Sequence, residues 1–253
     1  MTARAGATAP PATLGAPRVH RRVTDSTNER ARELALAGAP HGTLLTAGRQ
    51  TAGRGRQGRR WSAPADSAIL MSLILRSPPP LLPLMAALAV CDVAGEEARI
   101  KWPNDVVVLE GAALAKLAGI LAEGRAREGW AVLGIGLNVA VRLHELPPEL
   151  RGAGADGSPA TGLPAATMGR TREQLEPTLQ ELLAALQARL AEPTEATLAA
   201  WRSRDALLGR EISWAGGRGH AQGIDGEGRL IVALADGGRT ALAAGEVHLQ
   251  AIA

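Results

Sequence analysis

The chain has no phenylalanine and no tyrosine, and only one cysteine, two lysines and three asparagines among its 253 residues. The lone Cys91 excludes an internal disulfide and any metal cluster built on cysteines. Its place in an apolar helical run predicts a packing role. No apolar run is long enough to cross a bilayer: Ala68–Leu75 and Leu81–Val90 are short and are split by Pro78-Pro79-Pro80. The opening residues 1–17 lack the apolar region of a signal peptide. They read as a disordered tail, and a cytoplasmic protein without a membrane partner is expected. Charge of one sign is also scarce, with 28 basic against 25 acidic residues. The five histidines show no metal-ligand spacing. There is no nucleophile elbow, no Walker loop ending in Gly-Lys-Ser or Gly-Lys-Thr, and no Rossmann glycine pattern.

Lysine, asparagine, phenylalanine and tyrosine are all written by A/T-rich codons, so the gene has drifted toward G and C. The lysines and asparagines that remain are therefore the first to read. Asn28 lies in Asp25-Ser26-Thr27-Asn28, and Lys101 and Asn104 in Lys-Trp-Pro-Asn-Asp. Lys116 opens Lys-Leu-Ala-Gly-Ile, and Asn138 closes Gly-Ile-Gly-Leu-Asn. Between the first two strings lies Gly53-Arg54-Gly55-Arg56-Gln57-Gly58-Arg59-Arg60-Trp61, a basic stretch without an acid. Such a patch suits phosphate, on a nucleotide or on a nucleic acid.

The element pattern predicts an α+β protein. Ser26-Thr27-Asn28-Glu29 has the form of a capping box opening a helix that stops at Gly38. Strands are expected at Gly42–Arg49, Ala68–Leu75, Arg99–Trp102, Val106–Leu109, Leu117–Glu123 and Trp130–Val139, with a helix from about Leu82 to Val93. Their order predicts a mixed sheet carrying packed helices. Residues 140–166 are rich in Pro, Gly and Ala, which suits either a ligand-covering segment or a surface loop. Leu175, Leu179, Leu182, Leu186 and Leu190 mark one helix face, followed by a helix at about Thr194–Arg204. After Gly209 four short strands separated by Asp-Gly turns predict a small β-barrel.

Each motif has a chemical reading and a plainer one. Gly53, Gly55 and Gly58 allow close backbone approach to a ligand, and the arginines between them offer planar donors; a solvated basic loop would look the same. In Lys101-Trp102-Pro103-Asn104-Asp105, Pro103 keeps its neighbours extended, so Lys, Asn and Asp are presented together. The carboxylate suits magnesium held mainly by substrate phosphates; the plainer reading is a strand-ending turn. Lys116 beside buried β-structure can set one positive charge on a carboxylate or phosphate, or be an exposed lysine. Gly134 and Gly136 share one face of a buried strand, where a flat ligand fits against backbone. The capping role by itself explains Ser26.

Together and in this order, these strings resemble the biotin–protein ligase family, from about Val19 to the C-terminus. The resemblance implies a catalytic domain over residues 18–205 related to class II aminoacyl-tRNA synthetases, and an SH3-like barrel over 206–253. It also implies ATP-dependent activation of biotin to biotinyl-5′-AMP and transfer to a lysine of a biotin carboxyl carrier protein. The substrates would be biotin and ATP with Mg²⁺. By the same resemblance Ser26, Thr27, Asn28, Gln50 and Gly53 belong to the biotin site. Arg54, Gly55 and Arg56 would close over the acyl chain and adenylate, with Trp61 as an apolar partner. Lys116 would contact the biotin carboxylate and then the phosphate. Lys101, Asn104, Arg59 and Asn138 would serve ATP and Asp105 the metal, while Gly119, Gly134 and Gly136 line the floor.

Departures from the family pattern are visible. Leu109–Ala115 places apolar residues ahead of Lys116 where the family often has a short polar turn. The loop after Val139 offers no Phe or Tyr for stacking on adenine. Only about twenty residues precede the catalytic region, so no DNA contact through a domain of its own is expected. Whether the chain forms a homodimer is left open. A lipoate ligase or octanoyltransferase is the nearest rival, and a nucleic-acid-binding module is a second one; the latter gives Asn104, Asp105 and Lys116 no purpose.

Overall fold

The computed structural model describes residues 13–110, 113–125, 128–152, 162–243, 245 and 247–249. Seven strands make the larger sheet: β1 (Arg18–Thr24), β2 (Leu44–Gln50), β3 (Ala68–Arg76), β4 (Arg99–Lys101), β5 (Asp105–Glu110), β6 (Ala113–Arg125) and β7 (Trp130–Asn138). Their spatial order is β1-β2-β3-β7-β6-β5-β4. The β1–β2 pair is parallel and the others are antiparallel, so the sheet is mixed as expected. Strand β3 lies inside the sheet, between β2 and β7, with helices on both faces, and it reads accordingly as an almost unbroken apolar run.

Helix α1 (Thr27–Leu36) covers one face, where Ala31 and Ala35 pack on Leu45, Ile74, Trp130 and Val132. The opposite face carries α2 (Leu82–Ala94), with α3 (Leu175–Leu190) and α4 (Thr194–Ser203) against it. Helix α2 is sandwiched between the sheet and α3, so it is apolar all round and buried from Leu84 to Cys91. Leu182 and Leu186 of α3 are fully buried, each contributing about 2 kcal/mol of transfer free energy.

The smaller sheet holds β8 (Glu211–Trp214), β9 (Gly217–Ile224), β10 (Leu230–Ala233), β11 (Arg239–Leu242) and β12 (His248–Leu249). All its pairs are antiparallel, in the order β11-β10-β9-β8-β12. It is joined to the larger sheet around β4. Trp102 Nε1 donates to the Gly228 carbonyl at 3.0 Å, and Lys101 Nζ to the Val247 carbonyl at 2.8 Å.

Several expectations need amendment. Strand β1 was not foreseen, because Arg18-Val19-His20-Arg21-Arg22-Val23-Thr24 is exposed at most positions and shows no buried face. Its extended form comes from the ladder with β2, running from Arg18 opposite Leu44 to Thr24 opposite Gln50. The charged residues blunt an open sheet edge. The expected tail also ends early: Leu14 is buried in the main core and Gly15 N–H donates to the Gly42 carbonyl, while residues 1–12 lie outside the described ones. Strand β6 begins at Ala113 rather than Leu117, which puts Lys116 inside the sheet. The smaller sheet has five strands rather than four, because His248–Leu249 pairs with β8.

Candidate functional site

A cavity of about 440 Å³ lies between the start of α1, the glycine–arginine loop, the Trp102–Asn104 turn, the middle of β6 and β7, and β12. Its volume is that of a small-molecule site. It gathers Ser26, Thr27, Asn28, Gln50, Arg54, Gly55, Arg56 and Arg59 with Trp61, Lys101, Asn104, Asp105, Lys116, Gly119, Gly134 and Gly136. Two residues of the expected set stand outside it. Gly53 supports the loop from behind, where a Cβ would lie 2.9 Å from Gln50 Nε2. Asn138 is buried and donates to the Ala166 carbonyl at 2.9 Å.

The polar end of the cavity starts at α1, and there the capping box does not form. Ser26 occupies the N-cap position, yet its side chain makes no cap bond, and its Oγ is buried with no hydrogen-bond partner. Gln50 of β2 caps the helix instead, accepting from Thr27 N–H at 2.7 Å and from Thr27 Oγ1 at 3.0 Å. Glu29 is drawn away by two guanidiniums, Arg32 and Arg54, each at 2.7 Å. These charge-assisted bonds are stronger than the box's bond to a neutral backbone N–H. The Arg32 hydrogen bond, helped by Arg54, also holds the Glu29 carboxyl below its ordinary range. A buried hydroxyl without a partner costs about 1–3 kcal/mol unless something satisfies it.

The floor is made by glycines, but side chains of the protein occupy much of the space they free. At Gly134 a Cβ would stand 2.8 Å from Asn28 Cγ, and at Gly136 2.7 Å from Trp61 Nε1. At Gly119 it would stand 3.1 Å from Trp61 Cζ3. The flat group lying against this strand backbone is therefore the Trp61 indole. Its Nε1 is buried and unpartnered. Asn28, held by Ser72 Oγ at 2.6 Å and by Glu123 at 3.0 Å, fills the position beside it. Both glycines are needed for this close approach.

The loop itself is a narrow hairpin closed by Gly55 N–H to the Arg59 carbonyl and Trp61 N–H to the Gly53 carbonyl. Gln57 adopts φ 53° and Gly58 φ 76°, so the turn uses the left-handed region twice. Arg54 does not point to open cavity space: it bridges Glu29 at 2.7 Å and Glu123 at 2.8 Å. Arg56 reaches across to Asn104 Oδ1 at 3.2 Å.

The cationic end is the β4–β5 hairpin with β6. Lys101 and Asp105 are directly opposed across the hairpin. Asp105 Oδ1 lies 2.7 Å from Lys116 Nζ, and the same ammonium stands 5.7 Å above the Trp61 ring. Lys116 is thus a paired residue within the sheet, not a solvent-facing one at its start. The described residues hold no cluster of three His, Cys, Asp or Glu side chains that could bind a metal. Asp105 offers one carboxylate, a donor set that fits Mg²⁺ only when phosphates and water supply the other ligands.

Some cavity residues escaped the sequence. Leu150, Gly162 and Leu163 line one wall, so part of the 140–166 segment does border the site, while 153–161 lie outside the described residues. His248 and Leu249 of β12, with Val247 just before it, reach in, a contact between remote segments that no local pattern announces. Ser72 and Glu123, which hold Asn28 from behind the wall, had one legible signal each: a lone hydroxyl in an apolar strand, and a carboxylate just past an apolar one.

The comparisons with known proteins agree with this geometry. A family model described as the biotin/lipoate A/B protein ligase family matches residues 20–139. A biotin–[acetyl-CoA-carboxylase] ligase of Mycobacterium tuberculosis is 38% identical over 249 residues, covering 90% of this chain and 87% of that protein. The bifunctional ligase/repressor BirA of Bacillus subtilis is 40% identical over 161 residues, 59% of this chain; the match spans 48%, about half, of its length. Among solved structures, the biotin protein ligase of Aquifex aeolicus in complex with biotin and ATP superposes with a TM-score of 0.73 at 26% identity. That match covers 92% of this chain and 98% of the other.

Proposed function

The chain belongs to the biotin protein ligase family, and from that premise we propose that it activates biotin with ATP and passes it to a carrier-protein lysine. The observation that carries this reading is the polarity of one continuous cavity. At one end the unpartnered Ser26 hydroxyl stands beside Thr27 and Gln50, a hydrogen-bonding pocket suited to a ureido ring. The middle is apolar, with Trp61, Met71 and Ile135, and suits an alkyl chain. Lys116 and Arg56 stand at the far end, where a carboxylate would meet triphosphate.

The chemistry needs no nucleophile from the protein. A carboxylate oxygen of biotin attacks the α-phosphorus of ATP, the bond to the bridging oxygen breaks, and pyrophosphate leaves. The ε-amine of the carrier lysine then attacks the acyl carbon, and AMP leaves with the bonding electrons. Negative charge gathers on the phosphoryl oxygens in the first step, and preplaced cations lower that barrier. Lys116 is held by Asp105 and the Trp61 ring where such charge would form. Mg²⁺, entering with ATP, would neutralise phosphate charge, and in this reading Asp105 is the carboxylate that would meet it. The buried Cys91 thiol, pushed up to about 12 by desolvation, takes no part.

The same reading assigns residues 18–205 to the biotin- and ATP-binding domain, related to class II aminoacyl-tRNA synthetases. Residues 206–253 form an SH3-like barrel in this reading, which the antiparallel order of β8 to β12 supports. The acceptor is a biotin carboxyl carrier domain. The deciding experiment is ATP–pyrophosphate exchange by the purified protein, with biotin, lipoate and octanoate in parallel. Exchange with biotin alone is expected, because a dithiolane or a bare alkyl end leaves Ser26 unsatisfied. Exchange driven better by lipoate or octanoate overturns the assignment of the acid.

A further inference from the structure

Behind the cavity wall lies a hydrogen-bonded chain that no part of the mechanism above uses. Glu123 of β6 accepts with both oxygens: Oε1 from Arg54 at 2.8 Å and Oε2 from Asn28 Nδ2 at 3.0 Å. Asn28 is buried, its Nδ2 also faces the Leu121 carbonyl at 3.3 Å, and its Oδ1 accepts from Ser72. Arg54 in turn is shared with Glu29, two residues into α1. One carboxylate thus ties together two parts of the cavity that are far apart in sequence: the Ser26–Asn28 wall and the glycine–arginine roof.

We propose that Glu123 is a positioning residue, a latch that holds the glycine–arginine loop over the cavity and orients Asn28 in the same stroke. The proposal rests on the biotin-activating reading for its kinetic consequence, but the latch itself is a property of the free protein. Its chemistry is specific to a carboxylate. Both partners of Glu123 are donors, and glutamine has a single acceptor oxygen, so its amide N–H₂ must face either Arg54 or Asn28. Asn28 does not turn its amide over, because Oδ1 would then oppose the Leu121 carbonyl that Nδ2 now faces, and the side chain stands against Gly134. The mismatch therefore falls on Arg54, which keeps only its bond to Glu29, and the roof is held more loosely while the wall stays in place.

Glu123→Gln tests this without needing any ligand. Trypsin cleaves after arginine, and the loop carries Arg54, Arg56, Arg59 and Arg60. With the substrate-free protein, cleavage within the loop is expected to run about tenfold faster in the variant than in wild type, the loss of one charge-assisted bond. The apparent melting temperature should stay close to that of wild type. In pyrophosphate exchange the KM for biotin is expected to rise about tenfold, with kcat at saturating biotin changed much less. In an Arg54→Ala background Glu123→Gln should add little to either readout, since the latch is already open.

Equal loop cleavage and equal KM in wild type and variant overturn the proposal. So does a fall in melting temperature and kcat at unchanged KM, which makes Glu123 a residue of the fold alone. If wild type shows no biotin-dependent exchange, the functional reading fails, and the cleavage comparison still decides the latch.

Discussion

Replacing Gly136 by alanine adds one methyl group at the most crowded point of the cavity floor. The new Cβ would stand 2.7 Å from Trp61 Nε1 and 2.8 Å from Cδ2, closer still to Cε2. Ordinary carbon contacts lie at about 3.5–4.0 Å, so the indole must retreat by roughly 1 Å. The backbone of β7 cannot give way, because it is paired on both sides, to β3 and β6. Trp61 can, since it is only partly buried and sits at the end of a loop. The strain is therefore relieved by moving the site rather than by loosening the core. A misplacement of that size in a binding constellation costs on the order of 100-fold, against a stability loss of about 1 kcal/mol, the low end for overpacking. Biotin titration by calorimetry and the KM in pyrophosphate exchange report the first quantity, and urea unfolding the second. The control is Trp61→Ala, in which the added methyl meets empty space and should change nothing further. Unaltered biotin affinity for Gly136→Ala, or an equal penalty with and without the indole, would refute the argument that the glycine exists to seat Trp61.

Lys116→Ala should lower pyrophosphate exchange by about 100- to 1000-fold, the usual loss for one preplaced charge. It should also cost about 1 kcal/mol of stability by stripping Asp105 of its partner; activity within a few-fold of wild type, with the fold intact, would remove Lys116 from the chemistry. Arg56→Gly cuts the link to Asn104 and should speed release of biotinyl-AMP, read as non-specific labelling of added lysine-rich protein; unchanged release sinks that role. At Asp205 burial pushes the carboxyl up to about 6, and its Oδ2 has no partner. The folded protein then holds this proton more tightly than the unfolded chain, so the group costs stability as pH rises from about 4 to 6 and the cost stays constant above. Two units correspond to about 3 kcal/mol as an upper limit. Asp205→Asn keeps the Oδ1 acceptor for Leu207 N–H and should be more stable than wild type at pH 7.5, with no advantage at pH 4; a variant that is less stable at neutral pH contradicts this.

The contrast between what could be read and what could not follows sequence distance. The Lys101–Asp105 hairpin was legible because proline, turn residues and apolar flanks act within a few positions, and the structure opposes those two residues across it. Helices α2 and α3 were legible from apolar content and spacing. The cap of α1 was misread because Gln50, which takes the place of Ser26, lies on another strand. Strand β1 was missed because its partner, not its composition, makes it extended. Gly134 and Gly136 were read as making room for a flat ligand, but the structure sets Asn28 against the first and the Trp61 indole against the second, and that depends on how a loop seventy-odd residues earlier folds back. His248 could not be anticipated at all, since only the docking of β12 against β8 brings it to the cavity.

The chain leaves the neighbourhood of Lys116 at Leu150 and comes back at Ala165, and those two residues are themselves joined, Ala165 N–H to the Leu150 carbonyl at 2.7 Å. On its return it grips the lysine's own backbone: Lys116 N–H donates to the Pro164 carbonyl, and Ala166 N–H to the Lys116 carbonyl. Asn138 locks the same stretch from the side. The excursion is thus tied off at its neck, and the position of Lys116 is indifferent to how many residues the excursion contains. Doubling its length would raise the closure entropy by only about 0.6 kcal/mol. Lys116 therefore keeps its register through main-chain bonds to Pro164 and Ala166, made by residues about fifty positions further along the chain.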